Sequence, residues 1–388
     1  MRFQVRVSSF RTLAVLHPVF ALTGVLHTVG GALLPSLAAR FHLSDADSGL
    51  LFFLYFAGTS LGALLCRRSY ARTMAVGLVG VSACSIGIAA AGRPILPLLF
   101  LLLGVSVGTP MSAVSLYVGR AFPERCAPIL TSLNFSWSAG ALAAPLIAAR
   151  VLRNHTYQSA YLLFSVTSLL AAVACYSFLV EPAELARPQS QSGALLSLRL
   201  VIFFAFVAFL EVGIENTVAA WLPTYALRLG KSGIVIAAVS SSLFWAGFLS
   251  SRGISSLLLM RVEPTRLFRN AVVVGLFAAI ALVLAPSPSS RNAAMLLMGA
   301  ALAPIFPLVI AGSLARFSRT SDSRWVLATA GFGGSVLPWL AGWISAHAGS
   351  IRMGMLIIPS SLAAMLFMLP AFRSTHPVIP EQQETEAG

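Results

Sequence analysis

The chain has 388 residues, of which 57% are hydrophobic and 10% are charged, and its mean hydropathy is +0.86. This composition excludes a soluble globular protein. The net charge of +14 comes almost wholly from Arg, because Lys231 is the single lysine, and the basic residues stand singly or in small clusters between apolar segments. A nucleic-acid-binding protein needs a contiguous basic face on a soluble domain, so we expect no nucleic-acid partner.

Apolar segments long enough to cross a bilayer recur along the whole chain. They are continuous rather than alternating, which predicts helices and not a barrel. The basic N-terminus precedes an apolar run too long for a signal peptide, so we take that run as an uncleaved first span. We predict an all-α membrane protein with twelve spans, at about residues 12–38, 46–66, 70–91, 95–121, 127–152, 157–180, 200–228, 233–258, 266–285, 293–316, 324–346 and 351–371.

A polar stretch rich in Pro, Gln and Ser divides the spans into six and six. It predicts an N-terminal six-helix half at 1–180, a cytoplasmic linker at 181–198 and a C-terminal six-helix half at 199–373. The last residues, 374–388, are polar and acidic and predict a disordered cytoplasmic tail.

The distribution of basic residues predicts the orientation. With the N-terminus inside, the inner segments hold eighteen arginines, Arg252 among them, and the outer loops hold eight basic residues. This excess predicts cytoplasmic termini. Because the bias towards Arg over Lys is bacterial in character, we expect a multi-pass protein of the cell inner membrane. We also expect the protein to be a monomer.

The two halves repeat in sequence. LPSLAARFHLS from Leu34 matches LPTYALRLGKS from Leu222 at a shift of 188 residues, and 104–122 matches 299–317 at a shift of 195. Internal repeats mark secondary transporters, whose substrate sites lie at the repeat interface. The shift of 188 also places His27 opposite Glu215 and Thr28 opposite Asn216, so the symmetric point of each half carries a protonatable group.

Glu211 and Glu215 lie inside the seventh predicted span. An ionisable side chain at bilayer depth costs about 2.5–3.5 kcal/mol by insertion scales, which makes it a candidate functional residue. Two carboxylates at i and i+4 share one helix face and do not both ionise easily in a low dielectric. We therefore expect one of them to carry an exchangeable proton, with His27 as the partner across the repeat. The alternative is a structural role, with Asn216, Trp221 or a backbone group as partner.

Polar and aromatic side chains inside the spans offer the hydrogen bonds and stacking faces that sugars use. The alternative for the tryptophans is an interfacial anchor, which we assign to Trp325 and Trp343. We predict proton coupling by Glu215, Glu211 and His27. The predicted substrate-binding residues are Glu215, Asn216, His27, Asn134, Trp137, Trp221, Trp245, Phe332 and Trp339.

Prolines and glycines predict interruptions of regular helix in three spans. These are Thr109-Pro110, then Pro304 and Pro307, then Gly331 to Gly334 with Pro338. Such breaks are tolerated where a cavity or a neighbour satisfies the backbone, and they are candidate gating hinges. The alternative is close helix packing through small residues. The four cysteines form no C-x-x-C pair, and we expect no metal, no cofactor and no enzyme activity.

Twelve spans as six plus six, a central inner linker and a duplicated half resemble the major facilitator superfamily over the whole chain. The resemblance implies two pseudo-symmetric six-helix halves. The basic loop motif of that family, G-x-x-x-D-R-x-G-R-R, survives in part at 62–72 as GALLCRRSYAR, without its Asp. Without this Asp, the sequence lacks one of the charged groups through which the motif implies stabilisation of the outward-open state.

Spans 7 and 8 resemble the branch that contains fucose–proton symporters and glucose permeases. The matching positions are Gly213-Ile214-Glu215, Trp221 to Tyr225, Phe244-Trp245-x-Gly247 and Arg252. Glu211 departs from that branch, which has an aromatic residue there. The acidic residues of the branch in spans 1 and 4 have no counterpart here, so its coupling route does not carry over.

Together these features predict a secondary active transporter of a sugar or a similar small polar solute, working by alternating access and coupled to protons. Two alternatives remain open. One is efflux of a drug or metabolite, with the glutamates binding a cation or serving antiport. The other is a transporter-like nutrient sensor without transport.

Overall fold

The computed structural model describes residues 2–65, 69–181, 198–230, 233–258, 261–316 and 320–368, and within them every regular element is helical. The predicted tail at 374–388 and almost all of the predicted linker lie outside the described residues. The first half contains six α-helices: α1 (Arg2–Phe41), α2 (Asp45–Leu64), α3 (Tyr70–Ala90), α4 (Leu96–Ala121), α5 (Cys126–Leu152) and α6 (Tyr157–Phe178). Short 3₁₀ turns at Arg93–Ile95 and Pro123–Arg125 precede α4 and α5.

The second half is divided more finely. Its described helices are α7 (Leu198–Gly230), α8 (Ile234–Leu258), α9 (Pro264–Leu284), α10 (Pro288–Leu302), α11 (Ile305–Arg316), α12 (Thr320–Ala348), α13 (Ile351–Met355) and α14 (Ile357–Phe367). The pairs α10–α11 and α13–α14 correspond to the tenth and twelfth predicted spans. Ten segments of the described chain are long and apolar enough to cross a membrane, and Ile351–Phe367 is a shorter apolar one. With α12, they account for the twelve predicted spans.

The two halves are built alike. In the first, α1 packs on α5, α2 on α4, and α3 on α6; in the second, α7 packs on α12, α8 on α10, and α9 on α14. Across the middle, α2 meets α12 and α5 meets α8 in a symmetric arrangement, while α1 meets α7. The predicted fold, two pseudo-symmetric six-helix halves, is confirmed.

Glycines at equivalent positions allow the close contacts within each half. Gly58 and Gly104 bring α2 and α4 together, and a Cβ on either would overlap a backbone carbonyl of the other helix. The contact between α8 and α10 repeats this with Gly247 and Gly299, which are 189 and 195 positions further along the chain. Small residues permit such close approach of membrane helices. The sequence repeat therefore encodes the packing within both halves.

Two of the three predicted helix interruptions are wrong. Helix α4 runs without a break through Thr109-Pro110, and α12 runs without a break through Gly331–Gly334 and Pro338. In α12, a neighbouring helix satisfies the backbone, because a side chain of α7, that of Asn216, donates to the Gly334 carbonyl that Pro338 leaves free. The third prediction is confirmed, because α10 ends just before Pro304 and α11 begins just after it.

The two halves are joined at their outer ends, meaning the ends opposite the predicted cytoplasmic side. The Asp45 carboxylate, at the start of α2, accepts hydrogen bonds from the Arg228 guanidinium at the end of α7 and from the Ser345 hydroxyl of α12. One turn further into α2, Gly49 lies against the backbone of Trp339 and Gly342. This cluster, Asp45, Arg228 and Ser345, is called the outer latch below.

Candidate functional site

Helices α1, α2, α5 and α7 meet around His27 of α1. The His27 ring packs among the rings of Phe56, Trp137 and Tyr55, with centroid distances of 5.2, 5.5 and 6.3 Å. Its Nε2 lies 3.1 Å from Oδ1 of Asn216 on α7, so this hydrogen bond joins the two halves. Its Nδ1 is buried without a hydrogen-bond partner among the described residues.

Asn216 also bonds α12, through a carbonyl that a proline leaves free. Proline has no N–H for the carbonyl four residues before it, and Pro338 therefore frees the carbonyl of Gly334. Asn216 donates to that oxygen from Nδ2 at 3.1 Å. One amide thus ties α7 to α12 and, through His27, to the other half.

The first half repeats this arrangement. Pro145 of α5 leaves the carbonyl of Ala141 free, and the Thr28 hydroxyl of α1 reaches that oxygen at 3.4 Å. Thr28 is the residue that the repeat places opposite Asn216. The repeat therefore aligns two equivalent contacts. In each half, a polar side chain, from α1 in the first and from α7 in the second, bonds a carbonyl that a proline leaves free.

The two glutamates of α7 differ in their surroundings. The Glu211 side chain is 1% exposed, and neither of its carboxylate oxygens has a hydrogen-bond partner among the described residues. Glu215 is half-buried one turn away on the same face. The charges that act on this pair are those of the two carboxylates themselves and of Arg252 on α8. A buried carboxylate without hydrogen bonds carries a large desolvation cost when it is ionised.

Arg252 is the functional candidate that the sequence reasoning missed. It was counted among the inner positive charges, yet its guanidinium lies within the helix bundle, 4.5 Å from the Phe248 ring centroid and 5.8 Å from that of Trp137. Its Nη1 donates to the Ser138 hydroxyl at 2.8 Å and to the Asn134 carbonyl at 3.4 Å, both on α5. The rule that singles out Glu211, an ionisable residue inside a predicted span, would have found it.

Two tryptophans from opposite halves meet beside this cluster. The rings of Trp137 and Trp245 lie 6.0 Å apart in an edge-to-face arrangement, and both side chains are buried. Trp137 Nε1 is buried with no hydrogen-bond partner in the part of the chain that the structure describes. With His27, Glu211 and the Nε of Arg252, four side chains around this point carry buried polar atoms that no described residue satisfies.

Trp221 and Asn134 lie near this cluster but are engaged elsewhere. Trp221 Nε1 donates to the Pro338 carbonyl at 2.8 Å, so it links α7 to α12. The Asn134 side chain is exposed and donates to the Leu130 carbonyl of its own helix. Its backbone carbonyl, rather than its amide, contributes to the cluster through Arg252.

Phe332 and Trp339 do not join the other predicted residues. Their side chains are 59% and 37% exposed, and their ring contacts are with Phe209 and Phe53. Gly333 and Gly334 pack against α7 and Gly331 lies against Ser60 of α2. Phe332 therefore lies on the part of the α12 surface that these contacts leave open, where its ring touches that of Phe209. The Trp343 ring, predicted to be interfacial, is also exposed and stacks on His347, whereas the Trp325 side chain lies outside the described residues.

Two cavities adjoin His27 and Thr28. One lies within the first half and is lined by His27 together with Tyr55, Ser85 and Tyr161. The other lies between the halves, where Thr28 and Pro145 face Val218 and Trp245. No group of three or more His, Cys, Asp or Glu side chains that could hold a metal occurs in the described part of the chain.

A family model for the Major Facilitator Superfamily matches residues 16–324 of the chain. A curated relative, the glucose/mannose transporter GlcP of Bacillus subtilis (strain 168), is 25% identical over 393 aligned positions. The match covers 95% of this chain and 96% of the relative.

Solved structures show the same fold. The crystal structure of a D-xylose-proton symporter superposes with a TM-score of 0.77 at 13% identity, covering 94% of this chain and 97% of the other. The transporter FucP in its outward conformation gives a TM-score of 0.61 at 19% identity, covering 93% of this chain and 98% of the other. At these identities, the likeness concerns the fold alone.

Proposed function

This chain belongs to the Major Facilitator Superfamily, and we propose that it carries a sugar or a similar small polar solute across the membrane by alternating access, coupled to protons. The expected location is the bacterial inner membrane, with both termini in the cytoplasm. The similarity to a glucose/mannose transporter over nearly the whole chain supports the solute class. The two carboxyl groups inside the membrane-spanning part of α7 support protons as the coupling ion.

The observation that carries the proposal is the set of unsatisfied polar atoms between the two halves. His27 Nδ1, Trp137 Nε1 and the Glu211 oxygens are buried and have no partners among the described residues. Buried polar groups in native proteins are normally hydrogen-bonded. A solute with several hydroxyl groups would supply both donors and acceptors, and the faces of Trp137 and Trp245 would pack on its C–H surface.

Four residues are proposed to contact the solute, namely His27, Trp137 and Glu215 through hydrogen bonds and Trp245 through the face of its ring. Asn216 is proposed to position His27, because its amide is already bonded to α12. A carboxylate such as Glu215 can accept hydrogen bonds from two sugar hydroxyls at once. Phe332, Trp339 and Trp221 do not enter the proposal, because the first two are exposed and the third is bonded elsewhere.

The direct test is a thermal-shift screen of sugars on the purified protein, followed by uptake of the stabilising sugar into proteoliposomes. We expect at least one hexose or pentose to raise the melting temperature and to be taken up. Trp137→Phe removes the free indole N–H but keeps the ring, and we expect weaker binding of that sugar. Stabilisation by no sugar would contradict the proposal.

Efflux of a hydrophobic cation is the second candidate, and one observation favours it. The two carboxylates outnumber the single guanidinium in an aromatic environment, which suits a bound cation. The same screen separates the two functions, because an efflux site would be stabilised by hydrophobic cations and by no sugar.

A further inference from the structure

We propose that Glu211 holds the coupled proton and that Arg252 controls this proton by exchanging its α5 partners for the glutamates when α5 and α8 separate. The inference rests on the proton coupling proposed above and deepens it, because it assigns the proton to one of the two carboxyl groups and names the group that expels it.

The surroundings of Glu211 require it to be neutral in the arrangement seen here. Both of its oxygens are buried, neither accepts a hydrogen bond from a described group, and its exposure is 1%. Leaving a carboxylate ionised in such a place costs far more free energy than leaving a neutral carboxylic acid there. Glu215 is half-buried and bears its charge at a lower cost.

Arg252 is the nearby cation, and in this arrangement it is held away from the carboxylates. It forms no ion pair with Glu211 or Glu215 in the described structure, although it is near enough to both for an electrostatic interaction. Its Nη1 is held by the Ser138 hydroxyl and the Asn134 carbonyl of the other half, and its Nε has no partner. A guanidinium has five N–H donors, so part of its capacity is unused.

A separation of α5 from α8 would break the bond to Ser138 and leave the guanidinium without its oxygen partners. Among the described residues around the guanidinium, the carboxylates of Glu211 and Glu215 are then the acceptors that carry the opposite charge. Pairing with Arg252 stabilises the ionised form of Glu211, whose O–H bond breaks and whose proton passes to water on the open side. Reformation of the α5–α8 contact withdraws Arg252, and the carboxylate takes up a proton again.

The remaining ionisable groups around Glu211 do not substitute for Arg252. Glu215 lies on the same helix and has the wrong sign, and His27 on α1 is engaged with Asn216. Also on α1, His17 is bonded to Ser136 of α5, and Arg11 and Arg40 lie further along that helix. Arg228 at the end of α7 is paired with Asp45. The other helices packed on α7 place described ionisable side chains only near their outer ends: Arg291 on α10, His347 on α12 and Arg352 on α13.

The test is an infrared acid–base titration of the purified wild-type protein without any solute. We expect the absorption band of a buried protonated carboxyl group, which is lost in Glu211→Gln and retained in Glu215→Gln. A band that survives Glu211→Gln, or no such band in the wild type, would overturn the assignment.

Ser138→Ala tests the exchange of partners. It removes the hydroxyl that holds Arg252 on α5, so the cation acts more strongly on the carboxylates and the band should titrate at lower pH. We expect a downward shift of the midpoint of about one pH unit, which is a tenfold change in the protonation equilibrium. The matched control is Ser136→Ala, on the same helix, whose hydroxyl bonds His17 and not Arg252.

An unshifted midpoint in Ser138→Ala, or an equal shift in both serine variants, would overturn the role of Arg252. If Glu211→Gln does not fold, Glu215→Gln decides the assignment, because loss of the band in that variant would overturn it, and the serine pair decides the role of Arg252. Since this titration needs no solute, failure to transport any sugar would count against the proposed function and not against the proton site.

Discussion

At the residue scale, Asn216 is the side chain whose hydrogen bonds connect the most helices of the site. Its Oδ1 accepts a hydrogen bond from Nε2 of His27 in the first half, and its Nδ2 donates to the Gly334 carbonyl of α12. Neither contact follows from sequence composition alone. The repeat placed His27 opposite Glu215, one residue from its actual partner, because an alignment gives the level in the bundle but not the rotation of each helix.

Asn216→Ala should destabilise the protein measurably. It leaves the carbonyl freed by Pro338 and the Nε2 of His27 without partners, and interhelical hydrogen bonds in membranes are worth about 0.6–1.7 kcal/mol each. We expect the free energy of unfolding to fall by about 1–3 kcal/mol in chemical denaturation. Asn134→Ala is the control, since that side chain bonds only its own helix; equal losses in both variants would refute the assignment.

Glu215→Gln tests the second carboxyl group. The amide keeps the size of the side chain but removes the fixed negative charge that, beside Glu211, attracts Arg252. We therefore expect a folded protein that exchanges solute across the membrane and no longer accumulates it against a gradient. Gradient-driven uptake into proteoliposomes measures this. Glu124→Gln, an exposed carboxylate outside the bundle, serves as the control and should accumulate solute normally; wild-type accumulation by Glu215→Gln would exclude a coupling role.

At the scale of the elements, much of the packing was predictable because it is carried by periodic small residues. The repeat identified Gly104 with Gly299, and both lie at equivalent helix contacts. What the sequence missed was the direction in which mid-span residues face. Phe332 and Trp339 have the depth expected for a cavity lining, but the glycines beside Phe332 pack against α7 and α2, and both rings are exposed.

The crossing of α1 and α7 is predicted to be intolerant of even one methyl group. A Cβ on Gly31 would overlap the Ala219 carbonyl, whereas a Cβ on the adjacent Gly30 would meet only the Phe52 ring at 3.6 Å, an ordinary contact. Overpacking of this kind costs about 1–3 kcal/mol. We expect Gly31→Ala to lower the melting temperature and slow transport, and Gly30→Ala to do neither. Equal tolerance at the two positions would contradict the crossing.

Glu181 shows a contact that compositional reasoning could not supply. It begins the segment interpreted as a linker, yet its carboxylate accepts hydrogen bonds from the first backbone N–H groups of α3, at Tyr70 and Ala71, at 2.9 and 2.8 Å. A negative charge at a helix N-terminus is stabilising. The sequence gives no local signal for it, because the two segments are 110 residues apart.

At the scale of the whole molecule, the outer latch holds the two halves together on one side. Asp45 joins α2 to α7 and α12, and its side chain is 12% exposed against 45% for Arg228. Because the arginine is partly solvated, the pair contributes about 1 kcal/mol or less. Its loss should therefore shift the balance between outer-closed and outer-open states without unfolding the protein.

Asp45→Asn should increase access from the outside by a few-fold, as expected for a change of that size. The measurement is the labelling rate, with a membrane-impermeant thiol reagent, of a cysteine placed at Thr28 in a cysteine-free background. Asp47→Asn is the matched control, because Asp47 pairs with Arg93 and Ser44 inside the first half. Labelling that rises equally in both variants would show that the latch does not hold the halves together.

The central claim is that this protein moves a sugar with protons, and solute accumulation in proteoliposomes tests it most directly. A panel of hexoses and pentoses is supplied outside, with and without an inward proton gradient. We predict that at least one sugar accumulates above its external concentration only when the gradient is present, and that a protonophore abolishes this accumulation. Equal uptake with and without the gradient, or uptake of no sugar alongside export of a hydrophobic cation, would contradict the account.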